Sequence, residues 1–271
     1  MPDATPDFAT ITQRQQQVWG AGDFNMLAMQ TMQAAESLVD AADPRPGQRV
    51  LDIACGSGNN ALVSARRHCD VVGLDFVPSL VARARQRAAA DGVAVEFREG
   101  DAQALPFADK HFDVVLSTFG VMFAPNQEKA AQEILRVIKP GGKIGIAAWM
   151  PEGFGGEFFK LMSKYAPPPA GLKPASRWGT LLGLVELFGT GVTIASARTR
   201  AFRQHYRSVP HGLEVFFSAF GPAVKIAQTA DAATVANLKA DISAFFTKQN
   251  RATDGTLILD SDYFETIARR V

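Results

Sequence analysis

Only two of the 271 residues are cysteine, Cys55 and Cys69. That is too few for a disulfide framework, so a reducing, cytoplasmic setting is expected. Histidine is almost as scarce. His68, His111, His205 and His211 are scattered, none in a zinc-ligand spacing, so no metal is expected. Long apolar runs are missing too. Nothing approaches the roughly 18 consecutive apolar residues of a membrane-crossing helix, and 1–17 hold no apolar stretch of the signal-peptide kind. Stable membrane insertion is not expected. Net charge is nearly absent, with 28 basic residues against 27 acidic ones and a formal charge of +1. A dedicated nucleic-acid binder carries a strongly basic face, so DNA and RNA are not expected as partners. Oligomeric state has no signature in the sequence.

What remains is ordinary globular material, 47% hydrophobic and 20% charged. Residues 9–43 read as helical with an interruption at Gly20 and Gly22, and Asp43-Pro44-Arg45-Pro46-Gly47 is a breaker. Beyond it, short apolar strands are expected at 50–54, 71–75, 93–97, 112–116 and 144–149. Helices are expected between them at 61–68, 78–91 and 127–138, with Pro78 opening one and Gly92 closing it. The 93–97 strand rests on alternation of Val93, Val95 and Phe97. Lys139-Pro140-Gly141-Gly142 is read as a helix stop. After 150 the alternation weakens. Helices are expected at 180–188, 213–229 and 232–249, and strands at 192–202 and 256–259, the last ending near Tyr263. Apolar strands alternating with amphipathic helices predict a parallel sheet covered on both faces.

The chemistry sits in Val50-Leu51-Asp52-Ile53-Ala54-Cys55-Gly56-Ser57-Gly58-Asn59-Asn60, a strand, a glycine turn and a helix start. Glycine lets a ligand lie against bare backbone, and the helix N-terminus offers free N–H groups. Many nucleotide sites share that spacing. Three features narrow it. Asp75 ends the second strand, where a carboxylate can hold both hydroxyls of a ribose. Gly100-Asp101-Ala102 follows the third strand and leads into Leu105-Pro106-Phe107. Ser117-Thr118-Phe119 ends the fourth. All these ends are expected to line one crevice at the carboxyl edge of the sheet.

Together with Val72-Gly73-Leu74-Asp75, Phe112-Asp113-Val114-Val115 and Leu135-Arg136-Val137-Ile138-Lys139-Pro140-Gly141-Gly142, these motifs resemble the class I S-adenosylmethionine-dependent methyltransferases. Within them the likeness is to the subgroup similar to ubiquinone and menaquinone biosynthesis methyltransferases. It covers roughly 48–149. It implies a Rossmann-like three-layer α/β/α sandwich with a mostly parallel seven-stranded sheet, the last strand antiparallel, plus helical cap segments. Residues 1–271 are read as one methyltransferase domain: 1–43 an N-terminal helical cover, 44–150 the cofactor-binding core, 151–271 the cap and last strands on the substrate side. The resemblance also implies S-adenosylmethionine as cofactor and a small-molecule methyl acceptor.

Carried over by position, Gly56, Ser57 and Gly58 would form the turn against the methionine part of the cofactor. Backbone near Ala54 and Ser117 would take its amino group, with Asp52 orienting it. Asp75 would hold the ribose, Phe76 would flank the adenine, and Asp101 with the Ala102 backbone would meet the adenine edge. Asn60 stands where many relatives have a third glycine. Cys55 and Asp113 are assigned no catalytic part.

Trp19 and Phe24 are candidates for a lid over the mouth, against plain core packing. Phe154, Phe158, Phe159, Phe216, Phe217 and Phe220 are either pocket wall or core. His205, Tyr206 and His211 are the residues of the cap with general-base chemistry, and His211 is carried as a substrate-side candidate. Arg198, Arg200 and Arg203 read as a solvated strand edge. No catalytic residue is named. Two other readings stay open: a nicotinamide-dependent oxidoreductase, which would share the glycine turn and the acid, and a non-catalytic cofactor-binding module.

Overall fold

The computed structural model describes residues 6–271; residues 1–5, part of the stretch weighed above as a leader, lie outside the described residues. Helices α1 (Phe8–Trp19), α2 (Asn25–Ala28) and α3 (Met32–Ala42) precede the breaker. Then come β1 (Arg49–Ile53), α4 (Asn59–Ala65), β2 (Asp70–Asp75), α5 (Pro78–Asp91), β3 (Glu96–Glu99), β4 (Phe112–Thr118), α6 (Gln127–Val137) and β5 (Ile138–Trp149). The remainder is α7 (Phe154–Met162), α8 (Leu181–Phe188), β6 (Val192–Tyr206), α9 (Val209–Ala219), α10 (Gly221–Thr229), α11 (Ala232–Gln249) and β7 (Leu257–Arg270).

The strands form one seven-stranded sheet in the order β3-β2-β1-β4-β5-β7-β6. Pairing is parallel from β3 to β5, and β7 runs antiparallel between β5 and β6. Strand order reverses between β1 and β4, which opens a crevice at their carboxyl ends. One apolar cluster packs α3, α4 and α5 on one face of the sheet through Leu38, Leu62 and Val81. A second packs α6 and α8 on the other through Ile134 and Leu184. A third lies apart from the layers and joins α7, α9, α10 and α11 through Phe158, Phe216, Ile226 and Phe246. It is seated on the far halves of β6 and β7, which stay paired as far as Tyr206 opposite Leu257, well past the end of β5 at Trp149 opposite Tyr263.

Four element boundaries differ from expectation. The third strand begins at Glu96, not Val93. Gly92 closes α5 in the left-handed conformation, and the Val93 N–H is taken by Ala88 O at 3.1 Å, so Val93 completes the helix cap instead of a ladder. Lys139-Pro140-Gly141-Gly142 does not separate helix from strand. It bulges out within β5, between Ile138 opposite Phe112 and Lys143 opposite Val114. The expected 213–229 helix is two helices meeting at Phe220, where Pro222 follows and Gly221 lies against α1 so closely that a Cβ would stand 2.1 Å from Val18 O. The last strand continues to Arg270. Past the expected end near Tyr263, Glu265 is buried in an ion pair with Arg198 at 2.7 Å.

Candidate functional site

The turn after β1 is built for close approach. Ala54 (φ 51°) and Gly56 (φ 55°) both take the left-handed conformation, which costs a non-glycine residue about 1–2 kcal/mol. The Ala54 carbonyl presses on the loop after β4: a Cβ on Gly120 would lie 2.4 Å from it. Gly56, by contrast, has open space where a Cβ would stand. Bare backbone therefore faces a cavity.

That cavity encloses about 1510 Å³, its open mouth included, and runs along the tips of β1, β2 and β4 into the aromatic cap.

Two buried carboxylates stand at its floor. Asp75 accepts from Gly56 N at 2.8 Å and from Val77 N at 2.9 Å. Asp52 accepts from Asn60 Nδ2 at 2.8 Å and from Ala61 N at 3.1 Å. Burial raises the pKa of both: Asp52 is pushed up to about 7 and Asp75 to about 6, against hydrogen bonds that pull the other way. Each carboxylate oxygen keeps a lone pair free for hydroxyl or ammonium hydrogens. Asp101 is held by Gln103, whose backbone N donates to it at 2.8 Å and whose Nε2 also reaches Thr12 Oγ1 at 3.0 Å. That bond ties α1 across the mouth. Gln16 Nε2 donates to the Phe76 carbonyl beside it.

Of the residues singled out from sequence, Trp19, Phe24, Asp52, Ala54, Gly56, Ser57, Asp75, Phe76, Asp101 and Ala102 all line this one cavity. Three do not. Gly58 turns away from it and admits the Phe97 ring, 3.0 Å from where its Cβ would be, so it serves the seating of α4. Ser117 is buried behind the wall, donating to Ile53 O at 2.8 Å and accepting from Val121 N at 3.0 Å, and Thr118 and Phe119 take its place on the surface. His211 lies outside altogether, in a shallow depression with His205, Met26 and Met29, and its Nδ1 accepts from Arg207 N at 3.2 Å. Tyr206 points its hydroxyl at Gln204, and burial pushes its pKa upward, so it stays a neutral phenol.

Several wall residues escaped the sequence reading. Asn60, taken as a missing glycine, bridges Asp52 to Thr118 Oγ1, which donates to it at 2.9 Å. Gln204 stands on the wall between Phe202 and Tyr206 on the inward parity of β6; a polar residue at a buried alternation position was its signal. The phenylalanines divide: Phe154, Phe158, Phe159, Phe216 and Phe220 line the cavity, while Phe217 does not and lies under Lys239 at 5.3 Å.

A family model described as a methyltransferase domain matches residues 51–146. A demethylmenaquinone methyltransferase of Deinococcus radiodurans is 34% identical over 188 residues, 66% of this chain and 76% of its own length. The chain belongs to the class I S-adenosylmethionine-dependent methyltransferases. An uncharacterised protein of Mycobacterium tuberculosis is 38% identical to this methyltransferase over 219 residues, 80% of each chain. Among solved structures, a geranyl diphosphate methyltransferase in complex with GPP and sinefungin superposes with a TM-score of 0.55 at 17% identity, covering 88% of this chain and 77% of that one. At that identity the likeness is one of fold. Family membership decides against the oxidoreductase. Among the described residues of this methyltransferase no helix is long and apolar enough to cross a membrane. No group of three or more metal-binding side chains occurs there either.

Proposed function

We propose that this enzyme binds S-adenosylmethionine along the tips of β1, β2 and β4 and methylates a small, largely apolar molecule in the aromatic end of the same cavity. One observation carries the reading: a single cavity joins two buried carboxylates and a bare glycine turn to a wall of Trp149, Phe154, Phe158, Phe159, Phe216 and Phe220. In this reading 1–271 act as one domain, with 151–271 supplying the substrate side.

The residues fit the cofactor. Gly56 leaves room for a chain against its backbone, and Asp75, hydrogen-bonded to that turn, presents two oxygens to the hydroxyls of a ribose. Asp52, desolvated and braced by Asn60, is an anionic partner for an ammonium group, directly or through water. Asp101 and Ala102 lie on the same wall for the base, with Phe76 beside them. When bound, the cofactor supplies a methyl group on a sulfonium, open to in-line displacement.

The chain's own contribution to the transfer is position and exclusion of water. Trp19 packs on Phe24, Phe123 and Phe220 with ring centroids 4.9–5.8 Å apart, and so closes the N-terminal cover onto the cap. Titratable side chains on the wall are Asp52, Cys55, Asp75 and Asp101, all at the strand tips. The aromatic end offers no base. The acceptor therefore enters as a ready nucleophile, and above the range in which Asp52 and Asp75 titrate the pH dependence of transfer is set by its own ionisation.

Calorimetric titration with S-adenosylmethionine tests the first half, and failure to bind at millimolar cofactor ends the reading. A screen of apolar enols, phenols, thiols and amines with methyl-labelled cofactor tests the second. Label transferred only to proteins or nucleic acid would overturn the small-molecule acceptor.

A further inference from the structure

Of the residues that 151–271 contribute to the cavity wall, Gln204 alone has a polar side chain; the rest are Gly155 and phenylalanines. Gln204 is buried to 6% exposure on the part of β6 that extends past β5. Its amide is clamped at both ends. Tyr206 Oη donates to Oε1 at 2.8 Å, and Nε2 donates to Ser261 Oγ at 2.7 Å. Tyr206 and Ser261 are themselves buried, so the amide cannot swing out to water without abandoning both hydroxyls.

The clamp is incomplete. A glutamine amide has two N–H donors, and among the described residues Nε2 makes one bond. Turning the amide over exchanges the two hydroxyl bonds but still leaves one N–H uncommitted, so the conclusion does not depend on its orientation. One donor is thus left over on a residue that lines a space otherwise walled largely by aromatic rings.

We propose that Gln204 determines acceptor specificity: its spare Nε2–H donates to an oxygen, carbonyl or enolate in kind, on an otherwise apolar methyl acceptor. This rests on the functional reading above. A ligand that fills the aromatic end without an oxygen there seals a donor away from water, and that penalty discriminates against it by about fivefold to a hundredfold. An anionic oxygen gains most, because charge-assisted bonds are the stronger ones.

The experiment compares two ligands of one shape, acetophenone and α-methylstyrene, by equilibrium dialysis against the full chain without cofactor. The quantity read is the ratio of their affinities. Relative to the unaltered chain, Gln204→Met is expected to shift that ratio about fivefold to a hundredfold against acetophenone. Gln204→Leu is the companion variant. It is of similar volume, has no donor and cannot gain one by taking up a proton, and it is expected to shift the ratio in the same direction. Thermal unfolding reports whether each variant is folded, and calorimetry with S-adenosylmethionine is expected to give an unchanged affinity in both. A ratio unaltered in the folded Gln204→Met and Gln204→Leu chains overturns the proposal. If the unaltered chain fails to bind S-adenosylmethionine while the ratio shifts as stated, the methyl-transfer reading falls and the oxygen anchor stands.

Discussion

Asp52 opposes folding in the ligand-free protein and is expected to favour cofactor binding, so Asp52→Asn separates the two effects. Its carboxyl is raised from 3.8 to about 7, chiefly by burial, with Asp75 adding to the rise. The folded state therefore holds the proton more tightly than the unfolded chain. Stability contributed by the protonated form is complete below about pH 4 and is lost as pH climbs towards 7. The difference of about 3 pKa units corresponds to roughly 4 kcal/mol above pH 7, and to less than half of that at pH 5, where only part of the window has been crossed. Asparagine removes the charge and can keep the hydrogen bonds. Its Oδ1 can accept from Ala61 N, and Asn60 can turn its amide to accept from the new Nδ2 while donating to Thr118 Oγ1. Urea unfolding of the ligand-free variant should thus show greater stability than the parent at pH 8, with a gain that shrinks by about half or more at pH 5. Calorimetry at pH 8 should show S-adenosylmethionine bound about 10- to 100-fold more weakly, as loss of a charge-assisted bond predicts. A variant less stable than the parent at pH 8, or a gain that does not change with pH, refutes the reasoning about burial.

Three further outcomes are expected. Asp75→Ala should weaken S-adenosylmethionine binding by about 1–3 kcal/mol through lost hydroxyl bonds, and binding by the parent should fall as pH drops below about 6 and the carboxyl takes up its proton; titration calorimetry across pH 5–8 reads both. Gly120→Ala should drive its Cβ into the Ala54 carbonyl, 2.4 Å away, destabilising the fold by about 1–3 kcal/mol and lowering cofactor affinity together, whereas Gly56→Ala, with open space at its Cβ but φ at 55°, should cost only backbone strain of about 1–2 kcal/mol in stability while its methyl enters the cavity and lowers affinity. Phe158→Ala removes a ring that meets Phe154, Phe216, Phe220 and Phe245 at centroid distances of 5.4–6.2 Å, and should cost about 3–5 kcal/mol in denaturant unfolding; a loss below about 1 kcal/mol would mean the cap is loosely packed.

Local patterns along the chain were enough for the sheet and for the strand tips, because both depend on short-range rules. Buried parallel strands read as apolar runs, Gly92 and Pro78 mark α5 by backbone conformation, and the bend at Gly56 with Asp75 about twenty residues on is dictated by the strand–turn–helix unit itself. The tertiary structure decided what lies between distant segments. Whether a strand-end residue faces a ligand or the layer behind it depends on the turn's geometry, which turned Gly58 and Ser117 inward and brought Thr118 and Phe119 forward. The full length of β7 was hidden because its charges are neutralised by partners on another strand. Gln204, the lone polar head in the cap wall, gains its meaning only from Tyr206 and Ser261, the second of which is 57 residues away, and from rings on three helices that no local pattern assembles.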